Sequence, residues 1–419
     1  MKKTFLFLSL SLLLPLGVYA GDNDLTPGTY AYITVENPSD FARKDVPVVL
    51  KISDITAQIK KYNGQQIGIF DGSKEIFSQY DDLDKDGTPD EVAFLVNLKA
   101  KGKEKLLVRT LPQNFKRPNF EKEVYAEMVK RVKIDNRETH EMVTEESSDK
   151  DDMYNQMYHH GVAFETNLVA YRLYFDKKQT VDVYGKVKPQ LELAQTQWYP
   201  TEDQLAQGFG DDVLLVKGSV GVGTFKGWDG QSALHFDQVS KRTQRIVATG
   251  NLRNVVEIEV EGWQYQGQSI HAKIRYIQYA RHRDCEVQVL FDPDFKDSLI
   301  FCTGVQKLPE EKFYTDKAGL VGVWGTDMPM TEPEKAKYGK QTVGLGVVVP
   351  TQYTKQQAED KANHLMLIGN NNQPTITYYL TATALKEKKG FKKAEDFFKY
   401  LEDWKKNVTN PVTVSLSDK

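Results

Sequence analysis

The chain has 419 residues, with 55 Lys and Arg against 58 Asp and Glu, seven histidines and two cysteines. This mild acidic balance excludes the strong basic surplus of a nucleic-acid binder, and two cysteines exclude a disulfide framework. The length allows about two or three domains, and abundant Tyr and Phe with few helical repeats point to a mainly β protein.

Residues 1–20, MKKTFLFLSLSLLLPLGVYA, place Lys2 and Lys3 before an apolar run from Phe5 to Val18 and close on Val18-Tyr19-Ala20. That is the pattern of a secretory signal peptide. The run is short for a membrane span, and no later segment is long and apolar enough to be one. Gly21 follows the cut, so no cysteine is offered for a lipid. The expectation is a periplasmic or secreted protein. Without Lys2 and Lys3 the chain keeps 53 basic against 58 acidic residues, a net charge of −5.

Residues 21–130 read as a small β domain. TYAYITVEN, VPVVLKI, QQIGIF, EVAFLVNL and EKLLVRTL are short strand-like runs between turn residues, which predicts an immunoglobulin-like sandwich. Between two of them lies DDLDKDGTPDE, from Asp81 to Glu91. Asp82, Asp84 and Asp86 alternate before Gly87, and Asp90 follows, as oxygen ligands do around calcium. The position where an EF-hand places its bidentate glutamate holds Ala93, so the match is partial. The competing reading is an acidic hairpin tip, since Asp and Gly favour turns for local reasons.

Residues 131–152, which include RETHEMVTEESSDKDD, are charged and lack apolar period, and read as a linker. From 153 to 385 the strands lengthen, and VVEIEVEGW alternates Ile258 and Val260 against Glu257, Glu259 and Glu261. This predicts a large sandwich of two stacked sheets. Its most reactive stretch is MYHHGVAFE, from Met157 to Glu165. On a strand, Val162 and Phe164 face the core with His160, while His159 and Glu165 face the other way. Gly161 marks a bulge able to change that phase. The next strand brings Tyr171 and Arg172. His159, His160, Glu165, Tyr171 and Arg172 are therefore the catalytic candidates, with His160 and Glu165 as the acid–base pair. The plain alternative is a structural strand, and no third ligand completes a metal site.

Trp198 and Tyr199 in TQWYPTEDQ, Trp228 in GVGTFKGWDG and the nearby His235 are substrate-binding candidates, since aromatic rings in polar turns stack on the apolar faces of sugars. Trp263 and Trp324 read as core. His271, Lys273, Arg275, Tyr279, Arg281 and Arg283 form a basic stripe, either a solvated outer face or a cradle for a polyanion. Cys285 and Cys302 flank an expected hairpin, either bonded across it or buried as free thiols. Residues 386–419 carry the one amphipathic helix, with Phe391, Ala394, Phe398, Leu401 and Trp404 at helical spacing.

Several stretches together resemble domain-of-unknown-function family 4861. They are ENPSDFARKDVPVVLKI, SQYDDLDKDGTPDEVAFLV, HHGVAFETNLVAYRLYFDKKQTVDVYGK, QWYPTEDQLAQGFGDDVLLVKGSVGVGTFKGWDG and VGLGVVVP. The resemblance covers nearly all of the mature chain. It implies secretion by gut and marine polysaccharide degraders, genes beside pectin- and uronan-processing enzymes, and a large domain similar to the galactose-mutarotase-like supersandwich. No settled activity comes with it. Two classes remain open. One is an enzyme on uronate-containing oligosaccharides, a lyase, a hydrolase or a mutarotase-type isomerase. The other is a non-catalytic glycan-binding protein. Both take an acidic oligosaccharide as partner.

Overall fold

The computed structural model describes residue 26 and residues 28–149, 153–293, 295, 299–330 and 339–418. The signal peptide expected at 1–20 lies outside them. The fold is mainly β, a small sandwich beside a large one, with a C-terminal helix.

Strict alternation builds the small sandwich. In Tyr30–Glu36 every second residue is buried, so Ala31, Ile33 and Val35 meet Val46, Val48, Val92 and Phe94 of a facing three-stranded sheet. The last strand of the chain, Thr413–Ser417, pairs with Tyr30–Glu36 at the edge of this domain. The tail thus returns to the beginning, a long-range pairing that no local pattern signals.

The large sandwich stacks a nine-stranded antiparallel sheet against two five-stranded sheets. Ile258 and Val260 point into its core as their alternation requires, beside Phe164, Tyr276, Val287 and Phe301. The helix Ala394–Thr409 lies on the nine-stranded sheet and buries Ala394, Phe397, Leu401 and Trp404. Phe391 precedes the helix and Phe398 is only partly buried, so the inner face is turned slightly from the expected one. The strand Gln341–Val348 makes room for it. A Cβ on Gly346 would stand 2.5 Å from Leu401, and one on Gly344 2.8 Å from Phe397.

Two expectations need correction. Residues 131–149 are not a linker. Val129–Ile134 and Arg137–Met142 form a hairpin, and Glu145–Ser148 is the edge strand of the nine-stranded sheet. Every residue of Arg137–Met142 is exposed, so the hairpin has no apolar period to display. Val124–Glu127, inside the span expected for the small domain, pairs with Gly161–Thr166 of the large one. The second concerns Cys285 and Cys302, which do not flank a hairpin. Asp284–Phe291 belongs to the nine-stranded sheet and Ile300–Gln306 to a five-stranded sheet, and both thiols are buried and free.

Candidate functional site

The five-stranded sheet of Asp211–Asp212, Val181–Gly185, Val169–Tyr174, Gly161–Thr166 and Val124–Glu127 has two unlike faces. Alternation sends Val162, Phe164, Leu173, Val181 and Val183 into the core. Register sets Glu127 opposite Ala163, Ala163 opposite Arg172, Arg172 opposite Asp182 and Tyr184 opposite Asp212. The second face therefore carries Glu127, Glu165, Arg172, Asp182 and Asp212, all buried. The helix Leu193–Thr196 and the turn after it cover this face, with Leu193 and Trp198 packed on Ala163, Ala170 and Tyr184.

Arg172 is the centre of the cluster. Its Nη2 donates to Asp182 and, at 3.1 Å, to both Asp212 and the Tyr174 hydroxyl. Its Nη1 donates to the Tyr199 hydroxyl at 3.1 Å. The Trp198 ring stacks on the guanidinium at 4.3 Å, and its Nε1 donates to Asp212 at 3.0 Å. One guanidinium thus serves two buried carboxylates. Burial, and then the charge of Asp182, push Asp212 up to about 8, and burial likewise raises Asp182. Asp212 is therefore the carboxyl that keeps its proton near neutral pH.

Above this cluster the surface is aromatic. His160 has φ +73, outside the strand, and stacks on Tyr154 at 3.6 Å. Gly161 makes that turn feasible, since a Cβ there would stand 1.9 Å from the Leu173 carbonyl oxygen. His160 Nδ1 lies 3.0 Å from the Tyr154 carbonyl oxygen. A carbonyl only accepts, so Nδ1 carries the proton and Nε2 keeps its lone pair. Burial, and next the charge of Arg172, lower its pKa to about 3. Tyr199 lies 6.4 Å from His160, and Tyr158 lies 5.9 Å from Tyr199. A cation stands at each end. The Arg131 guanidinium is 5.1 Å from the Tyr158 ring and Lys178 Nζ is 5.5 Å from the Tyr154 ring.

The other expected residues are placed differently. Glu165 is sealed in an ion pair with Lys186 and accepts the amides of Glu192 and Leu193. It anchors the start of a short helix and does not face a substrate, because its outward strand face is covered. Tyr171 is fully buried and donates to the Arg283 carbonyl at 2.6 Å. His159 is fully buried 3.3 Å from Glu127. Trp198, expected on an exposed rim, is 0% exposed, since its indole has both a cation and a carboxylate to satisfy. Trp228 and His235 lie at another sheet, His235 being 2.9 Å from the buried Lys226. Burial lowers His235 to about 4 and Lys226 to about 7.

Asp82, Asp84 and Asp86 do converge, with oxygens within 4.8 Å of one another. Asp90 is not in that group, and all four carboxylates accept loop amides, as the acidic-turn reading also requires. The basic stripe is neutralised, with Arg275 on Glu257, His271 and Lys273 on Glu259, Arg281 on Glu123 and Arg283 on Glu387. His271, Lys273 and Arg275 form an ordinary outer face, whereas Tyr279 is buried against the small sandwich and Arg281 and Arg283 lie beyond the strand Gln268–Tyr279. An open recess of about 500 Å³ lined by Gln352, Tyr353, Asn371, Gln373, Pro374 and Thr375 shares no residue with the Arg172 cluster. Among the described residues, no helix is long and apolar enough to cross a membrane.

Sequence reasoning missed Asp182, Asp212, Tyr154, Tyr158, Tyr174, Arg131 and Lys178. A signal was present for two of them. Asp182 interrupts the apolar run TVDVYG, and Asp212 sits in the doublet before VLLV, where an unpaired carboxylate is costly.

The family model described as a domain of unknown function, DUF4861, matches residues 35–414. The chain belongs to the DUF4861 family. Within the match lie the charged sheet face, its cover and the aromatic row of this DUF4861 protein. No curated protein matches the sequence. Among solved structures, the fold is similar to a protein of Glycosyl Hydrolase Family 38 from Enterococcus faecalis, at 9% identity and a TM-score of 0.46, covering 95% of this chain and 49% of that one. It is also similar to an alpha-mannosidase from Enterococcus faecalis, at 10% identity and a TM-score of 0.44, covering 95% and 47%. The DUF4861 chain spans about half the length of each.

Proposed function

We propose that this is an exported, carbohydrate-active protein that takes uronate-containing oligosaccharides, as a lyase or hydrolase. The observation that carries the reading is the ring row Tyr158, Tyr199, His160 and Tyr154 with Arg131 and Lys178 at its ends. Rings offer flat apolar faces with polar edges, which suits the C–H face of a pyranose. The cations suit its carboxylates. Arg172 does not take that part, since its fork already serves Asp182, Asp212 and Tyr199. The Arg131 and Lys178 side chains are 34% and 27% exposed and hold single carboxylate partners, Glu138 and Asp176.

Calorimetry with pectin-derived oligogalacturonates and their methyl esters tests this. Hydrogen bonds to charged groups contribute about 1.5–3 kcal/mol. Arg131→Ala and Lys178→Ala should therefore each weaken the acid form about tenfold or more and leave the ester form nearly unchanged. Equal losses for both forms overturn carboxylate recognition. Ultraviolet absorbance of an unsaturated uronate, followed in the same mixtures, separates elimination from hydrolysis.

A non-catalytic glycan-binding protein is the second reading. It is favoured by one observation. His160 is held neutral, and Glu165 and Tyr171 are sealed, so three of the expected catalytic residues lack a proton-transfer role.

A further inference from the structure

We propose that Tyr199 is the general acid of this site, its phenolic proton passing to the leaving oxygen of a bound glycoside while Arg172 holds the phenolate that remains. The assignment rests on the glycan reading above and gives its ring row a reacting atom. Three independent features of the structure point to it.

The first is the partner of the hydroxyl. The Tyr199 oxygen accepts from Arg172 Nη1 at 3.1 Å. A guanidinium has no acceptor to offer in return, so that contact leaves the phenolic proton to be donated elsewhere. Tyr199 is partly exposed, whereas the Tyr174 hydroxyl, on Nη2 of the same guanidinium, is buried and donates to Asp182 at 3.0 Å. Tyr199 therefore combines contact with Arg172 and access to a ligand.

The second is backbone strain. Gln197 and Trp198 both sit at positive φ, +44 and +75, a region that non-glycine residues avoid. Two such residues in succession persist only where the surroundings over-determine them, and they cluster at functional sites. Here the constraint is visible. The Trp198 indole is locked between Arg172 and Asp212, and the Tyr199 amide returns to the Thr196 carbonyl at 2.9 Å. Relaxing the turn would free Trp198 and withdraw Tyr199 from the guanidinium.

The third is charge. Burial raises Tyr199, and the positive Arg172 opposes that rise. The resting group is a protonated phenol. As the C–O bond of the glycoside breaks, its electron pair stays on the leaving oxygen, which takes the Tyr199 proton. The phenolate is then paired with Arg172. It regains a proton from the water that enters in hydrolysis, or from the sugar carbon that gives one up in elimination. The proton that Asp212 retains keeps Arg172 from being over-neutralised while the phenolate forms.

The test uses the full chain and compares Tyr199→Phe with Tyr314→Phe. The control removes a tyrosine hydroxyl far from the ring row, one that donates to Glu402 of the C-terminal helix. General acids contribute about a hundred- to ten-thousand-fold. Tyr199→Phe should lose at least a hundredfold in turnover of oligogalacturonate while its affinity and melting point stay at the parental values. Tyr314→Phe should keep its turnover. In hydrolysis a nitrophenyl glycoside of the same sugar leaves without a proton, and in elimination a uronate with the nitrophenyl group on its C4 oxygen does. Tyr199→Phe should therefore cleave the matching probe at close to the parental rate. Parental turnover in Tyr199→Phe overturns the assignment, as does equal loss on both substrates or a parallel loss of affinity. A parent that binds the oligosaccharides and turns none over also overturns it, while the glycan reading stands. A parent that binds none removes both.

Discussion

Two faces of the large domain carry the same chemistry under opposite conditions. On the outer face of the nine-stranded sheet, Arg245, His271, Lys273 and Arg275 alternate with Glu257 and Glu259, and the cation side chains are 19–42% exposed. On the covered face of the five-stranded sheet, Arg172, Asp182 and Asp212 are 3%, 0% and 8% exposed. Outside, Glu145, Glu257, Glu259 and Asp292 match the four basic side chains one for one, and those side chains keep contact with water. Inside, carboxylates outnumber the guanidinium and a proton makes up the difference. The residue types and the two-residue spacing are alike. The lesson is that a cover, here Leu193 and Trp198, turns a surface ladder into a site.

The largest expected effect follows from removing the inner cation. Breaking a buried pair leaves an uncompensated charge and costs about 3–5 kcal/mol. Arg172→Met should lower the unfolding free energy by that amount in denaturant titration. Adding Asp182→Asn and Asp212→Asn should recover part of it, because the stranded charges are gone. A loss below about 1 kcal/mol, the range of surface pairs, would mean that the covered face behaves as the open one does.

The pH dependence of stability sharpens the contrast. Asp212 is raised to about 8, above the ordinary aspartate value of about 4. A raised folded pKa stabilises below the unfolded value, and that stability is lost as pH rises through the folded one. His160 acts in the opposite sense. It is lowered from 6.5 to about 3, so its contribution is present above 6.5 and is lost as pH falls. Between pH 6.5 and about 8 the Asp212 contribution therefore changes while that of His160 does not. Lys226, lowered to about 7 by burial, gains stability as pH rises above 7 and opposes the fall there. The melting point should therefore fall between pH 6.5 and 7, and Asp212→Asn should flatten that fall. A slope unchanged in Asp212→Asn would show that the inner pair holds no proton there.

How much of this could be read in the sequence follows the same division. The alternation of Ile258 and Val260 against glutamates marked an open strand, and the open face is as expected. The stretch around His160 was picked out, and His160 and Arg172 do lie in the cluster. Their roles were not legible. A period of two assigns faces but does not say which polar face will be covered, so Glu165 and Trp198 looked accessible. The left-handed turn at His160 departs from the strand phase, and only Gly161 hinted at it. Asp182 and Asp212 meet Arg172 through sheet register, a relation set by pairing across 10 and 40 residues. The exposed hairpin Arg137–Met142 showed the converse, a pair of strands with no buried face to advertise it.

The smallest effect is expected on the outer face, and it bounds the comparison from below. Arg275 reaches Glu257 with Nε at 2.8 Å and Nη2 at 2.7 Å, so its geometry is as good as that of any inner contact. Its side chain is nevertheless 26% exposed, and Glu257 keeps Arg245 within 3.4 Å when Arg275 is gone. Glu257 itself is only 5% exposed, but removal of Arg275 leaves it the Arg245 cation and uncovers it to water. Arg275→Ala should therefore cost about 0.2–1 kcal/mol. The loss should shrink in about 1 M salt, where the screening length falls to about 3 Å, whereas the Arg172→Met loss should change little. Denaturant titration of both variants at low and high salt makes the comparison directly. If Arg275→Ala costs as much as Arg172→Met, or if the two respond alike to salt, then the cover over the inner face is not what separates the two regions.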